Sequence, residues 1–202
     1  RKQGSGLGNL KYAIDTLAYL SVEDQTKPKL ELKDDPNETG VYELVFDINN
    51  ISNQSLQYKL NNLTMTESLS VSDPEYVAEK AYMLNPKTNT EISGNGTLVD
   101  DVITVDAGGT VTVKYTLTLT DAEKEYISRS FINGMYVEGF AVLESLNEDK
   151  INLSIPFLAF FGDWTKAPMF DKTYYEVESE KYNGAIDEED KLKVDYYAST
   201  PL

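Results

Sequence analysis

The middle of the chain alternates between apolar and polar residues over long segments, most regularly across residues 110–120 and 41–48. A period of two places successive side chains on opposite faces of a β-strand. Each segment therefore predicts a strand with one face packed in a core. The apolar residues assigned to the buried faces are Tyr42, Leu44, Phe46, Ile48, Val111, Val113, Tyr115, Leu117 and Leu119.

Shorter β patterns occur at residues 16–24, 27–35, 56–71, 135–146 and 151–161. In the segment that begins at residue 56, the apolar positions change phase at Asn61 and Asn62, which predicts a β-bulge. In the segment that begins at residue 151, Pro156 cannot donate a backbone hydrogen bond. Its position predicts a sheet edge, or a point where the strand crosses from one environment to another.

Two short helices interrupt the β pattern. The first is predicted from Asn9 to Thr16. The second begins after Thr120, because Thr120 and Glu123 have the spacing of a capping box, and it is predicted to end at the Asn133-Gly134 turn. Short strands separated by turn signals predict an all-β fold, namely an antiparallel β-sandwich with one short helix and a short N-terminal helix.

The composition excludes several classes of site. The chain has 202 residues and a net charge of −16, and it contains no cysteine and no histidine. A charge of this sign disfavours binding to a phosphate backbone. The missing residue types exclude disulfides, thiolate metal sites, and a Ser-His-Asp triad within this chain. No apolar segment reaches the roughly 18 residues of a membrane helix, and no signal-peptide pattern is present. We therefore expect a piece of a longer protein or a mature segment.

Acidic pairs and tyrosines are the remaining candidates for a site. Asp34-Asp35, Asp100-Asp101 and residues 187–190 lack the spacing of a calcium loop, so we expect solvated loops and no metal or cofactor. The 14 tyrosines could form a platform on which sugar rings stack. The simpler interpretation is that Tyr42, Tyr58 and Tyr115 belong to the core.

Two segments carry a resemblance to a known family. Residues 133–145 read NGMYVEGFAVLES, and residues 153–164 read LSIPFLAFFGDW. Together they resemble the fibronectin-III-like domain that follows the catalytic domain of cell-envelope subtilisin-like serine proteases, the lactocepin and complement-cleaving peptidase group. The matching residues are Asn133, Gly134, Tyr136, Gly139, Phe140, Pro156, Phe157, Phe160 or Phe161, Gly162, Asp163 and Trp164. The N-terminal RKQGSGL is similar to the segment that closes a subtilase catalytic domain.

The resemblance implies a domain organisation and a function. Residues 1–16 would end a catalytic domain, residues 17–170 would form the fibronectin-III-like sandwich, and residues 171–202 would be a linker or the start of a following domain. The family's catalytic residues would lie before Arg1, so the fragment itself would not be an enzyme. It would pack on and stabilise the catalytic domain and shape the access of a protein substrate, in a secreted or cell-wall-associated bacterial protease, without nucleic acid or membrane insertion.

The single tryptophan follows the last predicted strand, where its ring could seal the end of the core or anchor an interface with a neighbouring domain. The apolar outer faces of residues 135–146 and 156–161 also fit domain packing. The predicted interface residues are Tyr136, Phe140, Leu158, Phe160 and Trp164. The alternatives are an adhesin-like or carbohydrate-binding sandwich, and a passive spacer.

Overall fold

The computed structural model describes residues 8–71, 77–78, 80–148 and 151–166. The chain divides into two units, Arg1–Trp164 and Thr165–Leu202, and every element below belongs to the first. Residues 171–202, including the acidic segment 187–190, lie outside the described residues. The expectation of a linker or a following domain there stays a prediction.

The described residues form two helices and eleven strands, more than the seven or so strands expected. In chain order they are α1 (Leu10–Asp15), β1 (Ala18–Ser21), β2 (Leu30–Asp35), β3 (Val41–Asn50), β4 (Leu56–Thr66), β5 (Tyr82–Leu84), β6 (Lys87–Gly94), β7 (Gly96–Val99), β8 (Val102–Val105), β9 (Thr110–Thr118), α2 (Asp121–Ser130), β10 (Met135–Ser145) and β11 (Leu153–Phe161). Both helices lie where the sequence predicts them.

The strands form two sheets that pack as a sandwich. The four-stranded sheet has the order β1-β3-β9-β6, and the seven-stranded sheet has the order β2-β11-β10-β4-β8-β7, with β5 also paired to β4. The all-β sandwich is therefore confirmed. One feature was not predicted: β2 pairs with β11 in parallel, whereas the other strand pairs are antiparallel.

The core lies between the two sheets and contains the residues that the period of two assigned to it. On β3 and β9 the predicted buried faces are confirmed, and Tyr42, Tyr58 and Tyr115 are buried core residues. The opposite sheet contributes the inward residues of β10 and β11. These are Val137, Ala141, Leu143, Ile155, Phe157, Ala159 and Phe161, each at most 3% exposed.

The β-bulge predicted at Asn61 and Asn62 is wrong. β4 pairs with β10 in unbroken register from Tyr58 opposite Ser145 to Met65 opposite Glu138. The inner face of β4 instead becomes polar. The Asn62 amide donates to the Tyr115 hydroxyl at 3.1 Å, and the Thr64 hydroxyl donates to the Asn62 side-chain oxygen at 2.8 Å. The phase of the apolar residues changes because the inner positions carry this hydrogen-bonded pair.

Pro156 lies where β11 changes its environment, as predicted. It faces Phe140 on β10, and the parallel pairing with β2 begins one residue later, at Phe157 opposite Leu30. Before that point β11 has one partner, so the missing N–H of Pro156 leaves no ladder position unsatisfied.

Helix α2 is fixed by the capping box that the sequence predicts. The Glu123 carboxylate accepts from the Thr120 N–H at 2.7 Å, and the Thr120 hydroxyl accepts from the Glu123 N–H at 3.3 Å. The same carboxylate accepts from the N–H of Asn85, in the connection between β5 and β6. Glu123 is 8% exposed, so it joins the helix to the sandwich as well as capping it.

The sandwich has two ends that matter for the site. Met135 and Phe161 face each other at what we call the upper end, and Leu143 and Leu153 face each other towards the lower end. The connection from α1 to the first strand of the sandwich lies at the lower end. Leu17, which links α1 to β1, accepts from the N–H of Ile51, and a small cleft there is lined by Leu17, Ser145 and other residues.

Candidate binding groove on the seven-stranded sheet

The two sequence motifs become neighbours at the upper end, because β10 and β11 pair there. Tyr136 lies opposite Phe160, and both side chains project from the outer face of the seven-stranded sheet. Two glycines make room for the Phe160 ring. A Cβ on Gly134 would lie 2.8 Å from a ring carbon of Phe160, and one on Gly162 would lie 3.3 Å from the same ring. The glycines of both motifs are therefore needed for a close approach.

Three aromatic side chains form one cluster. The ring centroids of Phe160 and Trp164 are 4.9 Å apart in an edge-to-face contact, and those of Tyr136 and Trp164 are 5.6 Å apart. Phe160 is only 7% exposed, whereas Tyr136 is 38% and Trp164 is 56% exposed. Trp164 lies outside the buried core. It covers Phe160 on the outer face, and does not seal the end of the sandwich.

Strand β2 forms the opposite wall, and a bulge shapes it. Leu158 pairs with Glu31 and Ala159 pairs with Lys33, so Leu32 is an extra residue in the ladder. Lys33 has a φ of 61°, a left-handed conformation that is uncommon for a residue with a side chain. Bulges of this kind re-aim side chains. Here Glu31, Lys33 and Asp34 all line the same groove.

We call the space between this wall and the cluster the aromatic groove. Its volume is about 350 Å³, and it is lined by Glu31, Lys33, Asp34, Tyr136, Leu158, Ala159, Phe160 and Trp164. A second groove of about 380 Å³ continues along the outer face and shares Glu31 and Leu158 with the first. Of the five predicted interface residues, Tyr136, Leu158, Phe160 and Trp164 meet in the aromatic groove. Phe140 lies in the second groove.

Charges around the aromatic groove are balanced. The Lys29 ammonium contacts the Glu31 carboxylate, and this hydrogen bond, together with the lysine's charge, holds the pKa of Glu31 below its usual range. Lys33 and Asp34 add one charge of each sign. A protein of net charge −16 thus presents a locally neutral groove.

The four-stranded sheet shows what an ordinary solvated face looks like in this protein. Its outer face has the Lys114–Glu43 ion pair at 2.7 Å and the hydrogen bond from Thr112 to Asp47 at 2.7 Å. The Glu43 carboxylate raises the pKa of Lys114 through this hydrogen bond and its charge. The outer face of the seven-stranded sheet therefore differs from that of the four-stranded sheet, because it contains the apolar grooves.

The other candidates from the sequence have simpler structural roles. Asp35 accepts from the N–H groups of Thr39 and Gly40 and so closes a turn. Asp100 and Asp101 form the two-residue connection between β7 and β8, with φ values of 50° and 62°. In the described part of the chain, no group of three or more acidic side chains is placed to hold a metal ion.

Sequence reasoning found the aromatic side of the groove and missed the polar side. Glu31, Lys33 and Asp34 reach the groove because β2 pairs in parallel with β11 and contains a bulge. No residue pattern near β2 predicts either feature. Within the described residues, neither helix has the length or apolar character needed to cross a membrane.

Comparison with known proteins identifies relatives of this arrangement. The family model described as an Fn3-like domain matches residues 30–158, more than half of the chain. The "PI-type proteinase" of Lactococcus lactis subsp. cremoris is 30% identical over 174 residues, which are 85% of this chain and 8% of that protein. The "C5a peptidase" of Streptococcus pyogenes serotype M1 is 24% identical over 176 residues, 87% of this chain and 13% of that protein.

Among solved structures, a FixG-related protein from Vibrio parahaemolyticus aligns with a TM-score of 0.39 and 11% identity, over 72% of this chain and 96% of that one. A TM-score this low supports no conclusion. The sequence relatives are much longer than this chain, which spans only 8% and 13% of the two named above. The resemblance to the fibronectin-III-like domain of cell-envelope subtilisin-like proteases is confirmed. The chain belongs to the Fn3-like domain family.

Proposed function

We propose that this chain is a non-catalytic accessory domain of an extracellular or cell-wall-associated subtilisin-like serine endopeptidase. Two observations support the proposal. Relatives of the chain include a proteinase and a peptidase, of which it matches a small part. The chain also has no histidine or cysteine with which to build a triad. In this role the domain packs on a preceding catalytic domain, stabilises it and shapes the access of protein substrates.

The exposed apolar surface around α1 carries this proposal. Leu10 and Ile14 are 77% and 73% exposed, and they lie on one helix face at a spacing of four residues. Two further exposed apolar residues lie near the lower end, Ile51 at 64% and Leu146 at 51%. A surface of this kind is typical of a protein contact. We call these four residues the lower surface.

Helix α1 also needs a partner for its own stability. It has six residues, and none of them is buried. Isolated helices shorter than about 12 residues are marginal in water, and most helices in proteins are stabilised by packing of an apolar face. A preceding domain that covers Leu10 and Ile14 supplies this packing. This packing would also account for the presence of a short helix before the first strand.

The test uses the full-length protease with Leu10→Asp and Ile14→Asp on the lower surface. We expect the half-life of peptidase activity at an elevated temperature to fall several-fold, while the sandwich remains folded by circular dichroism. Val45→Asp is the matched control, because Val45 is 44% exposed on the outer face of the four-stranded sheet. An unchanged half-life in the lower-surface variants would favour the passive spacer.

The five predicted interface residues remain a second predicted contact surface. The exposure of Tyr136 and Trp164 in a groove favours the carbohydrate-binding alternative as an additional property of the same domain. This property is separate from packing on a catalytic domain, because the aromatic groove and the lower surface are at opposite ends of the sandwich.

A further inference from the structure

We propose that the aromatic groove binds a neutral glycan, with a pyranose ring stacked on Trp164 and in contact with Tyr136, and with its hydroxyl groups hydrogen-bonded to Glu31, Lys33 and Asp34. The site does not depend on the protease role of the domain. It is assembled from residues of β2, β10 and β11 and from Trp164, which lies three residues after the end of β11, all within one sandwich.

The aromatic side provides a stacking surface that is held in place before a ligand binds. Phe160 is buried beneath the other two rings and rests against the backbone of Gly134 and Gly162. Trp164 and Tyr136 pack on Phe160 and remain 56% and 38% exposed. The apolar faces of sugar rings pack on aromatic rings of this kind. A fixed surface reduces the entropy that a ligand must overcome on binding.

The opposite side provides hydrogen-bonding groups of both kinds. The carboxylates of Glu31 and Asp34 accept hydrogen bonds, and the Lys33 ammonium donates them. Each hydroxyl group of a sugar both donates and accepts, so it finds partners on this wall. The β2 bulge, with its left-handed Lys33, brings these three side chains to one groove. Small-molecule sites combine apolar lining with a few polar groups in this manner.

The charge balance favours a neutral ligand over a charged one. The Lys29–Glu31 ion pair is neutral, and Lys33 and Asp34 carry one charge of each sign, so these four residues leave the rim without net charge. The overall charge of −16 repels anions from the protein, and the neutral rim offers a basic peptide no local attraction. A neutral ligand rich in hydroxyl groups can both stack on the aromatic rings and form hydrogen bonds with the charged residues of the rim.

The size and position of the groove also suit a glycan. Its 350 Å³ falls at the lower end of the range for small-molecule sites, about 300–1,000 Å³, which suits one or two sugar units. The β10–β11 ladder places the Tyr136–Phe160 pair seven residue steps from the Leu143–Leu153 pair near the lower end, or about 24 Å at 3.4 Å per residue. A domain packed on the lower surface thus leaves the groove open.

The test uses the single tryptophan as its own reporter. Neutral tetrasaccharides of glucose, galactose, mannose or N-acetylglucosamine are titrated into the chain while Trp164 emission is recorded. We expect at least one to give a saturable change with a dissociation constant of about 0.1–1 mM. The constant should be unaffected by added salt, because the ligand carries no charge to screen.

Two variants and a control locate the binding. Tyr136→Ala should weaken it at least about tenfold, the effect of losing roughly 1.4 kcal/mol of contact. Trp164→Ala should abolish the binding heat in calorimetry. Tyr19→Ala is the control, because Tyr19 is a 51% exposed tyrosine on β1 of the other sheet, and its binding should match that of the unchanged chain.

Two results would overturn the glycan proposal. The first is the absence of any saturable change up to about 10 mM sugar, a concentration that detects even millimolar affinity. The second is a Trp164 response to the separately produced catalytic domain without any response to sugar, which would make the groove a domain contact. Neither result bears on the protease half-life measured with the lower-surface variants.

Discussion

Tyr136 lies directly opposite Phe160 in the β10–β11 ladder, and their ring centroids are 5.3 Å apart in an edge-to-face arrangement. This contact joins two sequence motifs that are separated by the connection between β10 and β11. Trp164 packs on both rings, so their pairing also determines where Trp164 lies on the outer face of the sheet. The aromatic groove therefore depends on backbone pairing as much as on the rings themselves.

Gly134→Ala should destabilise the domain by about 3 kcal/mol or more, because overpacking adds to the strain of a left-handed residue. Gly134 has a φ of 82°, and its Cβ would lie 2.5 Å from the Phe161 carbonyl oxygen. Gly108→Ala is the matched control, since Gly108 has a φ of 64° and nothing within 4 Å. It should cost only about 1–2 kcal/mol. Urea unfolding measures both, and equal losses would show that the contact with Phe161 and Phe160 is not tight.

Phe160→Ala and Trp164→Ala should differ in their effect on stability. Phe160 is 7% exposed, so its truncation should cost about 3 kcal/mol. Trp164 is 56% exposed, and its truncation should cost less than about 1.5 kcal/mol. The two losses are measured from the midpoints of urea unfolding, provided that the variants keep the m-value of the unchanged chain. A larger loss for Trp164 than for Phe160 would restore the interpretation that Trp164 seals the core.

Tyr42→Phe should stabilise the domain, and Tyr115→Phe should destabilise it. The buried Tyr42 hydroxyl has no hydrogen-bond partner among the described residues, so its removal should gain about 0.5–1 kcal/mol. The Tyr115 hydroxyl accepts from the Asn62 amide, and its removal should cost about 1 kcal/mol. Thermal unfolding of the pair measures both effects. The opposite order would mean that Tyr42 has a partner in solution.

Stability should also fall at alkaline pH, and Tyr42 should contribute to the fall. Burial, with the nearby charge of Asp35, raises the pKa of Tyr42 above its ordinary value. Above about pH 10 the unfolded chain releases a proton that the folded chain keeps, so this contribution to stability is lost as the pH rises. Tyr42→Phe should reduce the loss by about 1 kcal/mol per pH unit. Urea unfolding at pH 9 and at pH 11 measures the loss of stability, with Tyr12→Phe as an exposed control. An equal loss in Tyr42→Phe and in the unchanged chain would contradict the prediction.

Glu123→Ala should cost about 2 kcal/mol, because it removes one half of the capping box and leaves the Asn85 N–H without its acceptor. Asp121→Ala is the control from the same helical turn. Asp121 is fully exposed and makes a surface ion pair with Lys124, so its replacement should destabilise the domain much less than that of Glu123. Chemical denaturation compares the two. Similar losses would assign the effect to helix charge and not to the buried carboxylate.

Most of the core was predictable because its strands have one buried and one solvated face. β3 and β9 follow the period of two throughout, and the capping residues of α2 are close in sequence. The segment from Tyr82 to Val105 was not assigned to strands. β6 and β7 have mostly exposed side chains, and an edge strand with little buried surface gives no strong apolar period.

The polar side of the groove was not predictable, for a different reason. The sequence places Tyr136, Phe160 and Trp164 near one another through recognisable motifs. Glu31, Lys33 and Asp34 join them only through the long-range pairing of β2, and the bulge in that pairing depends on tertiary contacts. The error at Asn61 and Asn62 is of the same kind, since a hydrogen bond to Tyr115 replaces the apolar contact that the pattern requires.

The parallel pairing of β2 has a consequence for folding. β2 is among the first strands to be synthesised, whereas its partner β11 is the last strand among the residues that the structure describes. Contacts between such distant segments form slowly, because a long loop must close before they contribute any stability. Until β11 emerges from the ribosome, β2 lacks the strand with which it pairs in the sheet, and the wall of the groove is not in place. The groove is thus among the last parts of the domain to form. The packing of its aromatic rings, including Trp164, is therefore a marker of the completed fold.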